Sequence, residues 1–153
     1  MTRLNVTCLT LLILVGCFAL CLVVTVAEPG DQDTAKLYEK QTLIAQWTKQ
    51  MLAGEASGQS NLIACANDTQ ESDLLREMAL RSLAARPSPT NIVVITSFLR
   101  SDSDKLRTAA YYSLPKRIKK EISFDYTKKP DAKTYSNVVN KVLMLSTNSP
   151  EKK

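Results

Sequence analysis

The sequence predicts an all-α protein, a short stack of helical hairpins behind an N-terminal hydrophobic helix. Three observations carry that prediction. Apolar residues recur at three- and four-residue spacing through most of the chain after residue 33. Glycine occurs only four times in 153 residues, too few for a turn-rich β architecture or a phosphate-cradling loop. A fifteen-residue helical pattern at 72–86 returns at 103–117, an offset of 31.

The first 27 residues read as a targeting segment. Leu4 to Ala27 carries no charge, and the run from Leu11 to Val24 is nearly all apolar. Arg3 and the amino terminus precede it, while Glu28, Asp31 and Asp33 follow, an asymmetry that keeps the amino end in the cytoplasm and sends the rest across. Two outcomes fit. Thr25-Val26-Ala27 has the small residues of a cleavage site, and about 20 apolar residues are also enough for a retained signal anchor. Leu14-Val15-Gly16-Cys17 reads like a lipobox with Cys17 lipidated, but Phe18 to Val24 is apolar where a lipoprotein has a polar tether. The expected location is therefore extracytoplasmic, secreted, periplasmic or anchored.

Residues 28–33 read as an acidic linker, and 34–146 as the helical domain. Leu37, Ile44, Trp47 and Met51 give the stripe of a helix from Thr34 to Leu52, flanked by Leu43. Ala53 to Ser60 reads as a loop of small polar residues, followed by a short helical piece from Asn61 to Ala66. Ser72 is a suitable N-cap, with acidic Glu71 and Asp73 beside the helix N-terminus. Leu75, Met78, Ala79, Ser82 and Leu83 line the face of that helix. Arg86-Pro87-Ser88-Pro89 ends it, because proline lacks the N–H and restricts its predecessor.

Asn91 to Leu99 is open between helix and strand. Ile92-Val93-Val94-Ile95 has strand propensity, whereas Thr90 as a cap, with Ile92, Ile95, Phe98 and Leu99 on one face, makes a helix. The helical neighbours favour the helix. Leu106, Ala109, Ala110, Ser113 and Leu114 form the next apolar face, which Pro115 ends or kinks. Residues 116–133 read as basic and loop-like. Lys133 to Leu145 returns to helix on Tyr135, Val138, Val139, Val142 and Leu145, and the tail from Ser146 frays.

The repeat aligns SDLLREMALRSLAAR with SDKLRTAAYYSLPKR, and eight of fifteen positions are identical. Unrelated segments of ordinary composition share about one. Leu, Ala and Leu at relative positions 4, 8 and 12 make one helix face, a residue per turn, and Ser-Asp supplies the cap. The arginine after the first leucine lies at the edge of that face, placed to reach a loop carboxylate. A proline break and a second apolar segment separate the copies, so the unit is a helix–turn–helix of about 31 residues, the kind that stacks into solenoids. Leu75-Arg76, Ala79 and Leu83, and again Leu106-Arg107, Ala110 and Leu114, resemble the L-R-x-x-A-x-x-x-L pattern of HEAT-type repeats. The resemblance covers residues 71–117. It implies an α-solenoid with the flanking helices as caps, and an extended surface for a protein partner rather than an enclosed catalytic pocket.

Chemistry-bearing patterns are missing. The chain has no histidine, so Ser–His and Cys–His pairs are impossible. Three of the four cysteines, Cys8, Cys17 and Cys21, fall in the targeting segment. Cys65 alone remains, which excludes an internal disulfide after cleavage and a zinc site. It reads as a small buried hydrophobe. Asp102, Asp104, Asp31 and Asp33 lack EF-hand spacing and read as caps and turns. Neither enzyme activity nor a cofactor or metal is expected. Asn67-Asp68-Thr69 is a glycosylation sequon that matters only in a eukaryotic secretory pathway.

The one electrostatic feature is basic. The chain carries +5, and Lys116, Arg117, Lys119, Lys120, Lys128 and Lys129 crowd one segment, with Phe124, Tyr126 and Tyr135 interspersed. These six are the candidate binding residues for an anionic membrane surface or glycan, or for an acidic protein. Export disfavours nucleic acid. Against a binding role, Glu121, Asp125 and Asp131 partly offset the charge. Trp47 and Tyr111-Tyr112 read as packing residues. The function this predicts is a non-enzymatic scaffold for an unknown protein partner, with anionic lipid or glycan binding through 116–133 as the alternative.

Overall fold

The computed structural model describes residues 29–122 and 125–147, and everything described that is regular is helical. The helices are α1 (Pro29–Leu52), α2 (Ala56–Asn67), α3 (Asp73–Ala84), α4 (Pro89–Ser97), α5 (Asp104–Ser113), α6 (Lys116–Glu121) and α7 (Ala132–Thr147). A 3₁₀ turn, Phe98–Arg100, continues α4. Among the described residues no helix is long and apolar enough to cross a membrane. The targeting segment, with Cys17 and the cleavage site, lies outside the described residues, as do Phe124 and most of the tail.

The chain divides into two compact units, residues 1–39 and 40–153. Of the first, the described part is the opening of α1, where Leu37 is half-buried and its neighbours are exposed. The stretch expected as a linker is helical from Pro29. Proline suits the first position of a helix, where its missing N–H has no partner to lose.

The second unit is built around the repeat. In α3 the Ser72 hydroxyl accepts from the Leu75 N–H, and in α5 the Ser103 hydroxyl accepts from the Leu106 N–H, both at 3.4 Å. The matched face residues Leu75, Ala79 and Leu83, and Leu106, Ala110 and Leu114, are all buried. The helices α3 and α5 pack on one another. They begin side by side, because the Ser103 hydroxyl also donates to the Asp73 carboxylate. On the other side of α3 lies α2, while α4 packs against α7. Ile44, Met51, Leu62, Leu80, Ile95, Leu99 and Val142 complete a continuous apolar interior.

Four sequence expectations change. The loop expected at 53–60 shrinks to 53–55, since α2 starts at Ala56. Gly58 is buried in α2 because the helices meet there: a Cβ on it would lie 2.4 Å from the Trp47 carbonyl oxygen and 2.5 Å from the Met51 nitrogen. The segment 91–99 is helical as its neighbours favoured, and only its cap changes, from Thr90 to Ser88, with Pro89 in the first turn. Lys116 to Glu121 is a short helix rather than loop, pinned by buried Ile118 and followed by buried Ile122. Finally, α7 runs through Ser146 to Thr147, beyond the point where the tail was expected to fray.

Candidate functional site

Each sequence-predicted cation lies on or after α6, and they fall into two groups. Lys119 donates to the Tyr112 carbonyl at 3.0 Å and stands 5.8 Å over the Tyr112 ring. Lys128 is 3.4 Å from Asp125, and Lys129 is paired with Asp102. These three are engaged within the protein. Lys116, Arg117 and Lys120 are exposed, and among the described residues none has an acidic partner. At helical spacing the three fall within an arc of roughly 100°, opposite the inward-facing Ile118. The structure therefore brings together three of the six as a free cationic face.

The acids that seemed to offset this charge are occupied. Lys141 donates to the Glu121 backbone carbonyl and lies 3.8 Å from its carboxylate. Asp125 accepts from the Thr127 hydroxyl and N–H, which holds its carboxyl below the usual range. Asp131 accepts from the Thr134 N–H at 2.7 Å and from its hydroxyl at 3.0 Å, with the same effect. The hydrogen bond from Lys129 lowers Asp102 likewise.

Beside the cationic face stands a tyrosine cluster. Tyr111 stacks on Tyr126 at 4.1 Å, and the hydroxyls of Tyr112 and Tyr126 are 2.9 Å apart. That hydrogen bond, with some burial, raises the Tyr126 phenol above its ordinary value. Tyr112, expected as a packing residue, is 55% exposed, with its ring beneath Lys119.

The connection after α6 is tied down by Arg107. Its guanidinium donates to the carbonyls of Ser101 at 2.8 Å, Asp102 at 3.0 Å and Thr127 at 2.9 Å, and it is only 6% exposed. The equivalent Arg76 donates to the Ala66 carbonyl at 2.9 Å. The repeat arginines were expected to reach loop carboxylates. They take backbone carbonyls instead, and Arg76 lies 3.6 Å from Asp73 of its own helix. Carbonyls are what the ends of helices leave unpaired.

A second feature is a groove of about 270 Å³ between α1 and α2. Leu43, Ile44, Trp47, Ala64 and Cys65 form its apolar wall, and Lys40, Asn61, Asp68 and Glu71 its rim. Lys40 pairs with Glu71, which raises the lysine's proton affinity. Cys65 is half-buried rather than core, and burial pushes its thiol up, away from reactivity. Sequence reasoning missed this groove, because its walls come from two helices whose approach depends on Gly58. Next to it Asn67 is exposed at the end of α2, its amide donating to the Ile63 carbonyl at 3.0 Å.

Among the described residues no cluster of acidic or cysteine side chains is arranged to hold a metal ion. No pairing of a nucleophile with a base occurs in either feature. The arrangement presents two surfaces, an apolar groove at one place and a cationic face at another. No family model matches the chain, and neither the curated proteins nor the solved structures contain a match to it.

Proposed function

We propose that this protein is a short HEAT-like stack of helical hairpins, exported or anchored by residues 1–27, that serves without catalysis as a scaffold for a protein partner. The observation that carries the reading is the pairing of α3 with α5. The two copies of the repeat lie against each other through equivalent buried residues, with equivalent serine caps and with the second cap hydrogen-bonded to the first turn of the other copy. Stacking of consecutive units is how a solenoid builds its core, and the flanking helices then act as caps.

Solenoids offer extended surfaces, so binding is the natural role. The α1–α2 groove is the place such a partner would enter. Its wall is apolar, and with Glu71 paired to Lys40 the rim keeps Asp68 as its unpaired charge among the described residues, which suits an amphipathic helix with a basic residue along its border. Ala64 is exposed on that wall, so Ala64→Arg fills the groove without entering the core. A photo-crosslinker placed at Leu43 should capture one discrete protein from the compartment where the chain resides, and Ala64→Arg should abolish the capture. Undiminished capture by a folded Ala64→Arg protein would remove the groove from the proposal. Capture of nothing at Leu43 or at other exposed positions would remove the scaffold role.

A further inference from the structure

We propose that the face of α6 bearing Lys116, Arg117 and Lys120 is a docking site for the phosphate groups of an anionic lipid surface. The proposal is independent of the scaffold reading, since it rests on α6 and its surroundings alone.

The argument starts from selection among cations. Surface cations held by their own neighbours have less to offer a partner than cations left without an acid, so the question is which of the six are left. Here Lys119, Lys128 and Lys129 are paired or hydrogen-bonded, and Glu121, Asp125 and Asp131 are held by Lys141, Thr127 and Thr134. The three cations left over share one side of a single short helix. Ile118 and Ile122 fix that helix from beneath, so the charges are presented on a rigid base. Their mutual repulsion is unrelieved within the protein and would be relieved by phosphates.

Two observations favour a bilayer over a glycan or an acidic protein. Tyr112 is more than half exposed beneath Lys119, a neighbour of those cations on α6, and an exposed tyrosine ring suits the headgroup layer. The sequence also carries the apolar run from Leu4 to Ala27. Retained as an anchor, that run would keep the chain at a bilayer, where a basic face meets anionic headgroups. The patch is compact, which mobile lipid headgroups can gather around, whereas a sulfated chain is read along a track.

The test uses the full chain with vesicles of phosphatidylcholine alone, and of phosphatidylcholine mixed with phosphatidylglycerol. The partition coefficients of the wild type and of K116Q/R117Q/K120Q are measured by co-flotation. Any contribution of the apolar segment is common to both proteins and cancels. The wild type should favour the anionic vesicles by about 100-fold, as three lysine or arginine contacts at a charged surface imply. The triple variant should lose most of that preference, K116R/K120R should keep it, and raised salt should abolish it. An unchanged far-UV spectrum of the variants shows that the fold is intact, as expected for exposed side chains without an ion pair among the described residues. Equal partition of wild type and triple variant overturns the proposal. So does a wild type that ignores phosphatidylglycerol but is retained on immobilised heparin through the same three residues, since the face would then belong to a sulfated glycan.

Discussion

Asn91 is 1% exposed at the start of α4, where four helices meet. Its amide donates to the carbonyls of Leu83 at 3.2 Å and Arg86 at 2.9 Å, and its oxygen accepts from the Gln59 amide at 2.8 Å. The same amide lies 3.6 Å from the Met51 sulfur. One side chain thus satisfies the end of α3 while touching α1 and α2. Asn91→Leu keeps the volume but removes the partner of the Arg86 carbonyl and of the Gln59 amide, and one of the partners of the Leu83 carbonyl, which still accepts from the Arg86 N–H at 3.4 Å. The expected loss is about 1–3 kcal/mol of unfolding free energy, read from urea denaturation. A cost under about 0.5 kcal/mol would mean that water or neighbouring groups satisfy these atoms instead. Arginines do related work nearby: Arg86 reaches the Met51 carbonyl, Arg76 the Ala66 carbonyl, and Arg107 three carbonyls at once. The Nε of Arg107 makes no hydrogen bond among the described residues, so its burial rests on those three.

Among the helices, α3 and α5 were legible from sequence because every signal they need is local. A serine cap, an aspartate in the first turn and a Leu–Ala–Leu series with one residue per turn all sit within a dozen residues. The helix α2 was half missed for the opposite reason. Its first turn, Ala56-Ser57-Gly58-Gln59, has no apolar period, and glycine there reads as a breaker. Glycine in mid-helix ordinarily costs about 1 kcal/mol against alanine, yet at position 58 an added methyl would strike the backbone of α1. Gly58→Ala should therefore destabilise by about 1–3 kcal/mol despite the gain in helix propensity. A rise in the melting temperature of that variant would show that α1 and α2 have room to separate. The helix α6 escaped detection because it is under two turns long and mostly charged. Tertiary contacts hold it: buried Ile118 and Ile122, the Lys119 bond to the Tyr112 carbonyl and the Lys141 bond to the Glu121 carbonyl. The candidate site was legible as a composition, six cations in one segment. Which three remain free was not, since the Lys129–Asp102 pair joins residues 27 apart in sequence.

At the scale of the whole molecule, the described part of the second unit is held in two chemically different ways. One is the apolar core together with the arginines that clamp backbone carbonyls. The connection between α6 and α7 depends in addition on Asp102, Asp125 and Asp131, all held below the usual carboxylate value of 3.8 by hydrogen bonds and cations. A carboxyl with a depressed folded-state value contributes stability that is present above 3.8 and lost as the pH falls through the depressed value. Acidification should thus loosen residues 125–131 before it loosens α3 and α5. Pulsed amide exchange in steps downward from neutral pH, corrected for the intrinsic rate, should show protection disappearing there first. Simultaneous loss of protection in α3 would mean that the carboxylates carry the core as well.

Duplication places Arg86 and Arg117 at the same point of their two copies, yet only Arg86 has a carbonyl to hold, and Arg117 stands in solvent on α6. A position relieved of its architectural duty in one copy while keeping it in the other is where a gene-internal repeat can acquire a new trait without loss of the old one. Substitutions at 117 therefore alter what the outer surface meets, whereas the same substitutions at 86 free the Met51 carbonyl near the end of α1.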